Sequence, residues 1–135
     1  MNIEMKVVKK ADLIELVNLY KGAGWWEEET DEVSFLGDLV TNSFCFVGAF
    51  HNGKMIGMGR SISDGVSDAY IQDVTVLPEY RNKGIGSKII NSIVSYLLEK
   101  DLKWIGLIGE PGTGSFYRSL GFAEMKDYIP MLLKQ

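Results

Sequence analysis

The run from Ala69 to Lys100 constrains the fold of this chain more than any other. Ala69-Tyr70-Ile71-Gln72-Asp73-Val74-Thr75-Val76 is β-branched and aromatic and stops at Leu77-Pro78, as a strand does. After the turn Arg81-Asn82-Lys83-Gly84-Ile85-Gly86, residues Ile85, Ile89, Ile90, Ile93, Val94, Leu97 and Leu98 form one apolar stripe, which predicts a helix to about Lys100. Lys103 to Gly109 then reads as a short buried strand. Strand, helix and strand in this order make a βαβ unit with parallel strands.

The rest of the chain adds to that unit. Leu13, Leu16, Val17 and Tyr20 share a face of a helix from Ala11 to Tyr20, with Asp12 as its cap. Val33, Leu36, Leu39 and Val40 predict a second helix, reached through the polar and aromatic link Gly22 to Thr30. Phe44 to Phe50 and Met55 to Ile62 are strands joined by the hairpin dipeptide Asn52-Gly53, and Asp64-Gly65 leads into the strand at Ala69. Three antiparallel strands joined to a parallel one make the sheet mixed. Ser115 to Leu120 predicts a short helix closed by Gly121, and Phe122 to Met125 and Tyr128 to Leu133 can supply one or two final strands.

With 135 residues, one domain over 1–135 is expected, and 46% hydrophobic residues suffice for its core. Fourteen Lys and Arg against 18 Asp and Glu give a net charge of −4, the wrong sign for a nucleic-acid footprint. Cys45, the only cysteine, lies in the apolar run Phe44 to Val47 and reads as a buried strand residue in a reducing compartment. No apolar stretch approaches the length of a membrane span and Met1 to Lys10 has no signal-peptide core, so a cytoplasmic protein is expected.

A strand running through a glycine turn into a long helix leaves backbone N–H groups at the positive end of the helix dipole. Gly84 and Gly86 let the main chain approach an anion, with Arg81 and Lys83 adding positive charge, and a pyrophosphate suits such a turn. Glycines that merely permit tight packing of helix on sheet explain the same residues. A dinucleotide fingerprint fails because Ile89 stands where its third glycine belongs, and Gly86-Ser87-Lys88 has the wrong order for a P-loop.

The segment Asp73 to Gly86 resembles the acetyl-coenzyme A motif of the GNAT superfamily of N-acetyltransferases, Arg/Gln-x-x-Gly-x-Gly/Ala after a strand that ends in valine and often a proline. Phe116-Tyr117-Arg118-Ser119-Leu120-Gly121-Phe122 resembles the family's later helix, whose tyrosine faces the thioester sulfur. The resemblance implies an α/β (α+β) fold with a mixed, mostly antiparallel sheet of about six to seven strands flanked by about four helices. It implies an N-acetyltransferase using acetyl-CoA, with no metal. Val74, Thr75 and Val76 would receive the pantetheine arm, with the Val76 N–H facing the acetyl carbonyl. Arg81, Asn82, Lys83, Gly84, Ile85, Gly86 and Ser87 would hold the pyrophosphate, with Phe116 and Tyr117 beside the cofactor and Tyr117 protonating the departing thiolate. One position departs from the pattern: Glu110, followed by Pro111-Gly112, stands where many relatives carry an asparagine that contacts the cofactor.

An alkyl amine arrives protonated at neutral pH, so a base is needed, and Asp73 is the candidate within the motif. Strand alternation, however, puts Asp73 on the face opposite Val74. His51, beside the hairpin turn, reads as exposed. Trp25, Trp26 and Glu29, in an acidic aromatic link, suit a cationic amine through cation–π contact and charge pairing, although a core Trp beside a solvated acidic run explains them too. The expected partners are a small primary amine and a second copy of the chain in a homodimer, with neither nucleic acid nor membrane. Alternatives are a non-catalytic acyl-CoA sensor of the same fold and a protein N-terminal or lysine acetyltransferase.

Overall fold

The computed structural model describes residues 1–135. Its elements are β1 (Glu4–Val7), α1 (Leu13–Gly22), α2 (Val33–Asn42), β2 (Cys45–His51), β3 (Lys54–Ser63), β4 (Asp68–Val76), a 3₁₀ turn (Pro78–Tyr80), α3 (Ile85–Glu99), β5 (Trp104–Leu107) and α4 (Gly114–Ser119). The strands form one sheet in the order β1-β2-β3-β4-β5, antiparallel except for the parallel pair β4 and β5. The mixed, mostly antiparallel sheet and the four helices agree with the sequence. The Asp12 carboxylate caps α1 by accepting from Ile14 and Glu15 N–H at 2.9 and 3.0 Å. Asn52 and Gly53 take φ of 51° and 79° and turn β2 into β3.

Alternation along β3 builds the two faces of the core. A Cβ on Gly59 would lie 2.8 Å from Ile89 and 2.9 Å from Ile93, so glycine lets α3 sit directly on the sheet. Ile56 and Met58 are fully buried on the other face, where Leu16, Leu19, Leu36 and Val40 of α1 and α2 cover them. Cys45 is buried in this core, and burial pushes its thiol up to about 11. No helix is long and apolar enough to cross a membrane.

Three expectations are corrected. The sheet has five strands, not six or seven: β1 is an additional strand, whereas Phe122 to Met125 and Tyr128 to Leu133 have no strand partner within the chain. His51 is half-buried, its ring edge-on to Tyr80 with 5.6 Å between centroids and its Nδ1 2.9 Å from the Tyr80 hydroxyl. The boundaries of α1 and α4 shift by one or two residues toward their caps.

Candidate active site

The site begins at an irregularity in β4. Between Met58 and Arg60 of β3, the partner strand advances from Thr75 to Gln72, one residue more than a regular ladder allows. Asp73 sits in this bulge at φ 55°, a left-handed conformation that Asp tolerates better than most residues. Its Oδ2 accepts from the Tyr20 hydroxyl at 2.7 Å and from Arg60 Nε at 2.8 Å, so a helix and a neighbouring strand both pin the bulge. Burial, and then the Asp73 charge, raise the Tyr20 phenol well above its ordinary value.

Pairing of β4 with β5 ends at Ile71 and Leu107, just before the bulge. Beyond it Val74 to Val76 have no strand partner on the β5 side. Replacing Arg60 with Met removes the charged partner of a carboxylate that is only 25% exposed. The expected cost is about 1.5–3 kcal/mol, read as a lower urea midpoint; an unchanged midpoint would mean that the bulge does not depend on this pair.

The gap opens into a cleft of about 620 Å³. All the residues expected to hold cofactor line it except Lys83, which is exposed beside it: Val74, Thr75, Val76, Arg81, Asn82, Gly84, Ile85, Gly86, Ser87, Phe116 and Tyr117. At its floor Gly84 (φ 79°) ends a turn in which Asn82 is also left-handed (φ 61°). A Cβ on Gly84 would meet no atom within 4 Å, so the space above the turn is free for a ligand. No side chain caps α3, and its first main-chain bond runs from Lys88 N–H to Gly84 C=O; the N–H groups of Ile85, Gly86 and Ser87 stay available to an anion. The turn therefore fits a pyrophosphate. Arg81 is committed otherwise, donating through Nε to Val76 C=O at 2.9 Å and through Nη2 to Gly22 C=O at 3.0 Å, which ties the end of β4 to the end of α1.

A second cavity, of about 350 Å³, lies across the gap and is lined by Tyr70, Ile71, Gln72, Asp73, Leu107 and Ile108, among others. Trp25, Val74, Glu110, Thr113 and Tyr117 line both cavities. The sequence sets Glu110 where relatives carry a cofactor-contacting asparagine and Tyr20 on the apolar face of α1, and assigns neither of them, nor Arg60, a role at the second cavity. Arg60 alone carries a signal, the one charge in the otherwise uncharged strand run Met55 to Ser63. Glu110 opens a turn marked by Pro111, by Gly112 at φ 84° and by Thr113 N–H donating to Glu110 C=O. Its carboxylate accepts from the Trp25 indole N–H at 3.0 Å, bridging the α1–α2 link and the α4 side of the cleft. Trp25 packs edge-on to Tyr20 with 5.7 Å between centroids. Trp26 instead stacks on Phe35 of α2, and Glu29 is exposed; neither lines either cavity.

Tyr117 projects from α4, whose end is fixed by Phe122 N–H on Tyr117 C=O and Gly121 N–H on Arg118 C=O, with Gly121 at φ 97°. Phe116 and Phe122 pack edge-on against its ring. Burial and the neighbouring Glu110 charge both raise the phenol above its ordinary value, so it is protonated at neutral pH.

A mixed sheet split beside a glycine turn, with a tyrosine helix over the opening, is an acetyltransferase architecture. The chain belongs to the acetyltransferase (GNAT) family, whose model matches residues 11–122. It is 32% identical over 85% of its length to an uncharacterized ycf52-like N-acetyltransferase of Prochlorococcus marinus, and the match spans 64% of that relative. A GNAT-family acetyltransferase from Streptococcus pneumoniae superimposes with a TM-score of 0.84 at 26% identity over 99% of this chain and 98% of its own, a span that takes in the C-terminal segment. The fold is shared, at a TM-score of 0.78 and 16% identity over the whole of both chains, with AAC(6')-Iy, solved with the bisubstrate analogue CoA-S-monomethyl-acetylneamine.

Proposed function

We propose that the domain of residues 1–135 transfers the acetyl group of acetyl-CoA to the primary amine of a small cationic molecule, with Tyr117 as general acid. The meeting of two cavities at Val74 and Tyr117 supports this reading most directly: the first offers an anion turn and open strand main chain, the second a small enclosure for the other substrate. The cosubstrate supplies a thioester. Ile85, Gly86 and Ser87 N–H groups bind its pyrophosphate, Val74 to Val76 align its arm, and Val76 N–H polarises the acetyl carbonyl. The amine nitrogen forms the new bond to carbon as the carbon–sulfur bond breaks, and the Tyr117 hydroxyl donates its proton to the departing sulfur. The amine's proton leaves by way of the carboxylates lining the second cavity, Asp73 and Glu110.

The nature of the second cavity supports a small, cationic acceptor. Asp73 and Glu110 are the charged residues that line it; Arg60 already pairs with Asp73, so the Glu110 carboxylate is the charge left to favour a cation. Its size suits a small molecule rather than a protein tail. Trp25 adds an aromatic wall, and one cation–π contact in a partly dry site is worth about 1–2 kcal/mol. Trp25→Ala is therefore expected to raise the amine KM by about tenfold, while Trp26→Ala leaves it within about twofold because Trp26 packs on Phe35. Equal effects of the two substitutions would remove Trp25 from the acceptor site. The reaction itself is tested by thiol release from acetyl-CoA with a panel of amines. Small cationic amines should be accepted; binding of acetyl-CoA without release for any amine would favour a sensor of acyl-CoA.

A further inference from the structure

Glu110 stands where the two cavities meet, and its main chain and side chain are fixed by different partners. Its C=O accepts from the Thr113 N–H at 3.1 Å and from the Thr113 hydroxyl at 2.6 Å, which sets the turn that leads into α4. Its carboxylate has a single partner, the Trp25 indole N–H at 3.0 Å, and forms no ion pair. A carboxylate only accepts and an indole N–H only donates, so the pair has one arrangement. Glu110 is exposed, and a glutamate side chain freed of this bond turns out into water.

Tyr117 lies at the same junction. Its ring is 3.6 Å from where a Cβ on Gly109 would stand, so the residue before Glu110 packs directly on it. The other ionisable groups around the ring are engaged elsewhere. Asp73 pairs with Arg60, Arg118 pairs with Glu124, and Arg81 donates to the carbonyls of Val76 and Gly22. The Tyr20 and Tyr80 hydroxyls bond Asp73 and His51, and Tyr70 packs on Trp104. Lys103 stands at the opposite end of β5 from Gly109. Glu110 is the charge left to face the phenol, in a place that depends on Trp25.

We infer that Trp25 is a positioning residue for Tyr117: its indole N–H, reaching across the cleft, holds the Glu110 carboxylate beside the phenol. A negative charge fixed there opposes ionisation of the phenol, and its effect is lost to solvent once the carboxylate swings away. Trp25 thus has two separable functions, since the face of the indole walls the second cavity while its N–H sets how far into alkali Tyr117 keeps its proton. Phenylalanine at this position keeps a ring against Tyr20 and has no donor. The consequence for the rate rests on the reading of Tyr117 as general acid; the bond and its effect on the phenol do not.

The phenol is titrated by NMR in protein made with ring-labelled tyrosine, its resonance assigned by its loss in Tyr117→Phe. Trp25→Phe and Glu110→Gln should each lower the pH at which it titrates, and the double variant should titrate no lower than Glu110→Gln alone, because the indole acts only through the carboxylate. An unmoved titration in Trp25→Phe beside a lowered one in Glu110→Gln overturns the inference, and so do additive shifts in the double variant or no shift in either single one. The alkaline fall in rate, measured on the same proteins, tests the other reading separately: a fall that does not follow the titration removes Tyr117 as the acid and leaves the role of Trp25 standing. Should Trp25→Phe not fold, the wild-type protein decides. Its Trp25 indole N–H should exchange with solvent more slowly than that of Trp104, which is 41% exposed and has no acceptor in the chain; equal exchange of the two overturns the inference.

Discussion

Gly84→Val is expected to weaken acetyl-CoA binding by about 10²–10³-fold while leaving the protein folded, because the pyrophosphate loses two or more charge-assisted hydrogen bonds. Gly84 sits at φ 79°, and a β-branched residue there must move the turn into another backbone region. Moving it swings the N–H groups of Ile85, Gly86 and Ser87 away from a common point. The hydrophobic core is untouched, since Gly84 is exposed and its missing Cβ faces open space. Gly84→Asn separates the two causes: asparagine accepts the left-handed conformation, as Asn82 already does at φ 61°, so it keeps the turn and only fills space above it. Calorimetry should place Asn between glycine and valine. Wild-type affinity in a folded Gly84→Val protein would take the pyrophosphate off this turn.

The elements that could be read from sequence are those whose signal is local. The stripe of α3 and the Asn52-Gly53 hairpin need no knowledge of distant residues, and the order of α3 and β5 fixes a parallel pairing with β4. β1 was invisible because its four residues are mostly exposed and acquire a partner only by pairing with β2. The final strands failed for the opposite reason: their pattern is strand-like, but a strand also requires an edge to join, and none within the chain receives them. At the site, the glycine turn and Tyr117 are legible as motifs. Trp25 and Trp26 are neighbours in sequence, and only the packing of α2 decides that one stacks on Phe35 while the other bonds Glu110. Arg81 looks like a phosphate ligand by its place, yet the carbonyls of Val76 and Gly22 are within its reach and take its donors. Asp73 is the sharpest case. Alternation correctly sets it on the α1 side, opposite Val74, but a bulge joins it to Arg60 and Tyr20 and places it in the second cavity.

Tyr117→Phe should lower turnover by about 10²–10⁴ with unchanged acetyl-CoA affinity, since a phenyl ring fills the same space and has no proton to give. The packing against Phe116 and Phe122 survives the change, so a loss of stability would not account for the effect. Single-turnover thiol release is the measurement to use, because slow product release would hide a chemical defect in the steady state. The pH profile gives an independent test. A general acid works only while protonated, and burial together with the Glu110 carboxylate raises the Tyr117 phenol above its ordinary value. The alkaline fall in rate should accordingly lie above the ordinary tyrosine range of about 10. Glu110→Gln removes the negative charge that favours the protonated form, so the phenol ionises more readily and the alkaline fall should move to lower pH. In Tyr117→Phe that limb should vanish from the residual rate. A single-turnover rate within about twofold of wild type in Tyr117→Phe, or an alkaline limb indifferent to Glu110→Gln, would assign the proton to another donor.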